Sequence, residues 1–169
     1  MKILVTGATG KLGSKVVDTL LKTVPVNQLA VSVRNPEKAE KLRLKGIEVR
    51  LGDFDRPETL DTAFAGINRI LIISADGDND NRIRQHTNAV KAAARAKIDF
   101  IAYTSIANAS ESKNFLASPH QAAEREILNT GIPYVFLRNN WYLENESSSI
   151  QGVLAGTPWV TSAGSGKVG

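Results

Sequence analysis

Short runs of apolar, largely β-branched residues recur along the chain, separated by stretches with helical spacing. The runs are Lys2-Ile3-Leu4-Val5-Thr6, Leu29-Ala30-Val31-Ser32-Val33, Ile47-Glu48-Val49-Arg50-Leu51, Ile70-Leu71-Ile72-Ile73, Phe100-Ile101-Ala102-Tyr103-Thr104-Ser105 and Pro133-Tyr134-Val135-Phe136-Leu137-Arg138. Each reads as a strand, and the fourth, apolar throughout, reads as a central strand covered on both faces. Between the first two, Leu12, Val16, Val17, Leu20 and Leu21 repeat at helical intervals up to Pro25. A charged helix is predicted from Glu37 to Lys45, stopped by Gly46, and another after Pro57 with Asp55 as its cap. A long helix is predicted from about Asn81 to Lys97, with Ile83, Val90, Ala93 and Ala94 inward and Arg84, Lys91 and Arg95 outward. Ser118-Pro119-His120-Gln121 reads as cap, first turn and N3 of a last helix that carries Ala122, Ala123, Ile127 and Leu128 inward and ends at Gly131. Strands alternating with helices predict an α/β fold: a Rossmann-like, doubly wound parallel sheet of order 3-2-1-4-5-6 with helices on both faces. Its ligand would lie across the carboxyl ends, where strands one and four diverge.

The first junction carries the clearest chemistry. Gly7-Ala8-Thr9-Gly10-Lys11-Leu12-Gly13 places glycines at G-x-x-G-x-x-G between a strand and a helix. That spacing lets the backbone turn sharply, admits a pyrophosphate without a Cβ in the way, and aims helix N–H groups at it. At the end of the second strand stands Arg34 rather than an acid. An acid there would bind the ribose 2′-OH of NAD, whereas a guanidinium suits a 2′-phosphate, so NADP(H) is the expected cofactor. Asp53 and Phe54, after the third strand, are expected beside the adenine, and the small pair Ser74-Ala75 leaves room for a cofactor across the end of the fourth. Asp76 to Asp80 has the composition of a calcium loop without its glycine position or distal Glu, and reads as a turn.

Bulk properties narrow the field. With 169 residues, 42% hydrophobic and 22% charged, one globular domain over 1–169 is expected. The formal charge of +4 suits an anionic ligand, but no basic block or interleaved aromatics accompany it, so no nucleic-acid partner is expected. The absence of cysteine excludes disulfides, thiolate catalysis and cysteine-bound metal, and no metal site is expected. No apolar stretch approaches the roughly twenty residues of a membrane span, and a cytoplasmic location is expected.

The glycine loop together with Val33-Arg34-Asn35-Pro36, Ile101-Ala102-Tyr103-Thr104-Ser105 and Leu137-Arg138-Asn139-Asn140-Trp141-Tyr142 resembles the NmrA-like atypical short-chain dehydrogenases, in particular their bacterial NADPH-dependent, quinone-reducing members. The resemblance implies hydride transfer from NADPH to a quinone, with Gly7 to Leu12 on the pyrophosphate, Arg34 on the 2′-phosphate and Ser74-Ala75 along the ribose. It also implies that Thr104, Asn139, Trp141 and Tyr142 lie near the nicotinamide or the quinone. The Tyr-x-x-x-Lys pair of many dehydrogenases is missing: Ala107, Arg138 and Glu146 stand four residues after Tyr103, Tyr134 and Tyr142. His120 and Tyr142 are therefore the candidate proton donors, with His120 more readily a structural residue at a helix start, where the dipole disfavours an imidazolium. Members of the family continue into a smaller domain that closes over the substrate, which this sequence is expected to lack. An incomplete pocket also fits the family's non-catalytic, redox-sensing regulators and leaves an exposed flank suited to self-association.

Overall fold

The computed structural model describes residues 1–158. The chain divides into two compact units, Met1–Arg138 and Asn139–Gly169. In the first, β1 (Ile3–Thr6), β2 (Leu29–Val33), β3 (Glu48–Leu51), β4 (Arg69–Ile72), β5 (Phe100–Ile106) and β6 (Tyr134–Asn139) form one sheet in the order β3-β2-β1-β4-β5-β6, the expected topology. Pairing is parallel between β1 and β2, β1 and β4, β2 and β3, and β4 and β5, with Val5 opposite Val31 on one side and Leu71 on the other. Central β1 therefore marks the point where the chain reverses its direction of winding.

Period-two alternation in the strands feeds two cores. Leu4, Ala30, Ile70, Ile72, Ile101 and Tyr103 turn to the face covered by α3 (Pro57–Phe64), α4 (Asn79–Arg95) and α5 (Ala117–Thr130). Val5, Val31 and Val33 turn to the opposite face, against Val17 of α1 (Lys11–Leu20) and Leu42 of α2 (Glu40–Leu44). The second unit contains α6 (Ser147–Leu154). Among the described residues, no helix is long and apolar enough to cross a membrane.

The structure corrects the sequence reading at several element ends. Asp55 does not cap α3, whose N-cap is Arg56 without a side-chain bond; its carboxylate instead takes Arg84 and Gln85 of α4. Helix α4 begins two residues earlier than predicted because Asp78 caps it, accepting from the Asn81 N–H. Helix α5 begins at Ala117, so Ser118 lies inside its first turn rather than before it. Ala94 and Leu128, predicted inward, are exposed. The inward face of α4 instead carries three polar side chains, Arg82, Gln85 and His86.

Candidate functional site

The turn after β1 is built as a cradle. Gly7 adopts φ +61°, the left-handed conformation that glycine enters without strain. Its N–H donates to Ser32 of β2 and its carbonyl accepts from Gly10, closing the turn. A Cβ on Gly13 would lie 2.2 Å from the Gly7 carbonyl oxygen and 2.8 Å from the Ala8 Cα, so only glycine lets α1 seat this close to the turn. Gly10 is the N-cap of α1 and supplies no side-chain acceptor. The first backbone bond back into the cap is from Ser14 to Gly10, which leaves the N–H groups of Lys11, Leu12 and Gly13 at an uncapped helix end. Three aligned donors reinforced by the helix dipole form a site for an anion. Ala8 is buried beneath the turn, while Gly7, Thr9, Gly10 and Lys11 are exposed.

Arg34 follows β2 on the same rim. It is exposed and has no hydrogen bond or ion pair among the described residues. Asn35 caps the 3-10 turn Pro36–Ala39 by accepting from the Glu37 N–H at 2.9 Å, which fixes the backbone just beyond Arg34. After β3, Asp53 and Phe54 are half-buried, and the Phe54 carbonyl accepts from Asn88 of α4 at 2.8 Å. Next to them, the Asp55 carboxyl is held below its ordinary value, first by the hydrogen bond from Gln85 and further by Arg84 and Arg34. Uncapped donors, an exposed guanidinium and an open rim together fit the diphosphate and 2′-phosphate of a dinucleotide.

On the other side of β1, the chain leaving β4 is pinned by side chains. The N–H groups of Ile73, Ser74 and Ala75 donate in turn to Thr6 Oγ1 (2.9 Å), Thr104 Oγ1 (2.8 Å) and His86 Nε2 (2.9 Å). The Ala75 carbonyl accepts from Arg82 Nε at 2.8 Å. Ser74 and Thr104, expected beside the cofactor, are thus brought together, their hydroxyls 3.3 Å apart.

Behind this segment lies a buried polar cluster that the sequence did not disclose. Tyr103 Oη is 3.3 Å from His86 Nδ1 and 2.9 Å from His120 Nδ1, and His120 Nε2 is 3.0 Å from Arg82 Nη2. Burial, then the Arg82 charge, hold His86 down at about 3 and His120 at about 4, so both rings are neutral near neutral pH. Burial pushes the Tyr103 hydroxyl up. His120, a candidate proton donor, therefore has both ring nitrogens engaged beneath the surface and none free to meet a substrate. Glu124 closes the far side, accepting from Ser105 Oγ (2.6 Å) and pairing with Arg138 (2.7 Å). The signal for the cluster was present as Arg82 and His86, four residues apart and in phase with Ala89, Val90 and Ala93, but phasing α4 on Ile83 hid it.

The remaining candidates belong to the second unit. There Asn139 Nδ2 donates to the Tyr142 hydroxyl at 2.9 Å and Trp141 Nε1 donates to Glu146 at 2.6 Å, folding the stretch back on itself.

Comparison with known proteins agrees with this geometry. The chain is 41% identical over 98% of its length to quinone oxidoreductase 2 of Escherichia coli, covering 58% of that protein. The crystal structure of an E. coli NADPH-dependent quinone oxidoreductase bound to NADPH superposes with TM-score 0.87 at 42% identity, over 91% of this chain and 54% of that one. A Citrobacter sp. triphenylmethane reductase bound to NADP(H) superposes with TM-score 0.86 at 47% identity, over 92% of this chain and 54% of that one. The chain thus spans little more than half the length of these relatives. The family model described as NAD(P)H-binding matches residues 7–166, from the first glycine of the turn onward, and the chain belongs to that NAD(P)H-binding family.

Proposed function

We propose that this chain carries the NADPH site of an oxidoreductase that passes a hydride to a conjugated acceptor, with a quinone as the acceptor class. The observation that carries the reading is the uncapped start of α1 behind a left-handed Gly7, with Arg34 on the same rim, exposed and without a hydrogen bond or ion pair among the described residues. The helix end and the Gly7–Gly13 turn would hold the diphosphate. Arg34 would hold the 2′-phosphate, and Asp53 and Phe54 would border the adenine. Ser74, Ala75 and Thr104 would line the ribose and nicotinamide half. When bound, the nicotinamide supplies the hydride, and the work of the chain is to hold and orient it. His120 is not assigned a proton-transfer step, because its ring is committed to Tyr103 and Arg82.

The names of the relatives support an enzyme over a regulator. Identity of 47% to a triphenylmethane reductase, against 41% to quinone oxidoreductase 2, favours a second acceptor class, a cationic triphenylmethane dye, as the companion reading. Calorimetry with NADPH and NADH tests the cofactor, and loss of NADPH absorbance with benzoquinone or with crystal violet tests the acceptor. Tight NADPH binding and quinone-dependent oxidation are expected. A folded chain that takes up neither nucleotide would overturn the reading.

A further inference from the structure

The parallel ladder of β4 stops at Ile72, opposite Tyr103, and the next backbone N–H groups are taken by side chains instead of strand backbone. Ala75 is held at both of its polar atoms by one helix. His86 Nε2 accepts its N–H, and Arg82 Nε donates to its carbonyl. The two side chains stand four residues apart on α4, on the same buried face.

These contacts fix where the protons sit. A backbone N–H only donates, so His86 Nε2 must present its lone pair, and the ring proton lies on Nδ1, facing Tyr103 Oη and the Pro119 carbonyl. A guanidinium also only donates, so His120 Nε2 is likewise an acceptor and its Nδ1–H is aimed at Tyr103 Oη. A second proton on His86 would put a donor against the Ala75 N–H and break the clamp. Facing the pair are Arg82 from α4, Tyr103 from β5, and His120 and Glu124 from α5.

Topology says which half of a dinucleotide this clamp serves. The glycine turn follows central β1, and Arg34 follows β2, so the adenosine half extends over β2 and β3. Ala75 follows β4, on the opposite side of β1, where the nicotinamide half must lie.

We propose that His86, with Arg82, is a positioning residue: as the neutral Nδ1–H tautomer, it fixes the Ala75 peptide against which the nicotinamide ribose is seated. The proposal rests on the dinucleotide reading above.

The test measures binding of NADPH and of adenosine 2′,5′-bisphosphate, which lacks the nicotinamide half, to the chain and its variants by calorimetry. His86→Phe keeps the ring shape without an acceptor, and His86→Gln places an amide oxygen where Nε2 stood. The expected result is a loss of roughly tenfold in NADPH affinity for His86→Phe, the size of one unmade backbone hydrogen bond, largely restored in His86→Gln. Binding of the bisphosphate should change by less than about twofold in either variant, within the few tenths of a kcal/mol expected for sites that do not couple. Equal loss for both ligands, no loss for NADPH, or a glutamine variant as weak as the phenylalanine one would overturn the proposal. Should His86→Phe not fold, Arg82→Lys takes its place, since lysine cannot make both the Ala75 and His120 contacts at once. Side-chain ¹⁵N spectra of the unaltered chain must show both histidines protonated at Nδ1, and the opposite tautomer for His86 would also sink it. An unaltered chain that binds neither ligand defeats the dinucleotide reading together with the proposal. Binding of both ligands that His86→Phe leaves untouched defeats the proposal alone.

Discussion

Acid should weaken this fold through one buried ring, and the size of the effect follows from its surroundings. His86 has no exposed surface, and its pKa is depressed from 6.5 to about 3, by burial first and then by the Arg82 charge. Between those values the unfolded chain binds a proton that the native chain does not, so stability falls as pH falls through this window. The contribution is fully present above pH 6.5 and is spent by about pH 3. At about pH 4.5, two units below the unfolded value, the loss is on the order of 3 kcal/mol, against almost nothing at about pH 7. His86→Gln cannot titrate and retains an acceptor for the Ala75 N–H. Urea unfolding of both proteins across this range should therefore show the original chain losing a few kcal/mol more than the variant, on the order of 3 kcal/mol at about pH 4.5. The depressed carboxylates Glu48, Asp55 and Asp78 titrate in both proteins and cancel in the difference. Parallel pH profiles would refute the reasoning, because they would mean that His86 takes up its proton as readily folded as unfolded.

Other outcomes follow from the same geometry. Arg34→Ala should weaken NADPH roughly ten- to a hundredfold, the value of a charged hydrogen bond, and leave NADH nearly unchanged; calorimetry with both nucleotides checks it, and equal loss would remove Arg34 from the 2′-phosphate. Gly13→Ala sets a Cβ against backbone on two sides, 2.2 and 2.8 Å away, and should cost about 1–3 kcal/mol in urea unfolding and abolish nucleotide binding. Thr104→Val removes the buried acceptor of the Ser74 N–H and should cost about 1–3 kcal/mol, with faster hydrogen exchange at Ser74 as the local signature.

Much of this molecule is local in origin. The period-two and period-3.6 patterns set strand against helix, and their alternation leaves a parallel sheet as the way to bury both kinds of apolar face. The glycine turn is legible because its requirement is steric and short-range. Gly7 takes a positive φ, which glycine enters without strain, and Gly13 lets α1 approach where any Cβ would meet backbone. Arg34 is legible for a related reason: position at a strand end and charge type are both written in sequence.

What the sequence left open was decided by contacts between residues far apart in the chain. Asp55 looked like a helix cap because its near neighbours, Pro57 and Glu58, suit one, but α4 brings Arg84 and Gln85 to it across about thirty residues, and a charge-assisted pair outcompetes a cap. His120 read as a helix-start residue that could serve as a proton donor, whereas packing of α4 on α5 closes it in with Arg82 and Tyr103. Arg82 and His86 show in the sequence only as polar residues in phase with the buried face of α4, with nothing local to say what they hold. Their roles exist because the β4 ladder ends at Ile72 and the Ala75 peptide is held at both polar atoms by a neighbouring helix, a contact that becomes visible when the strands are paired.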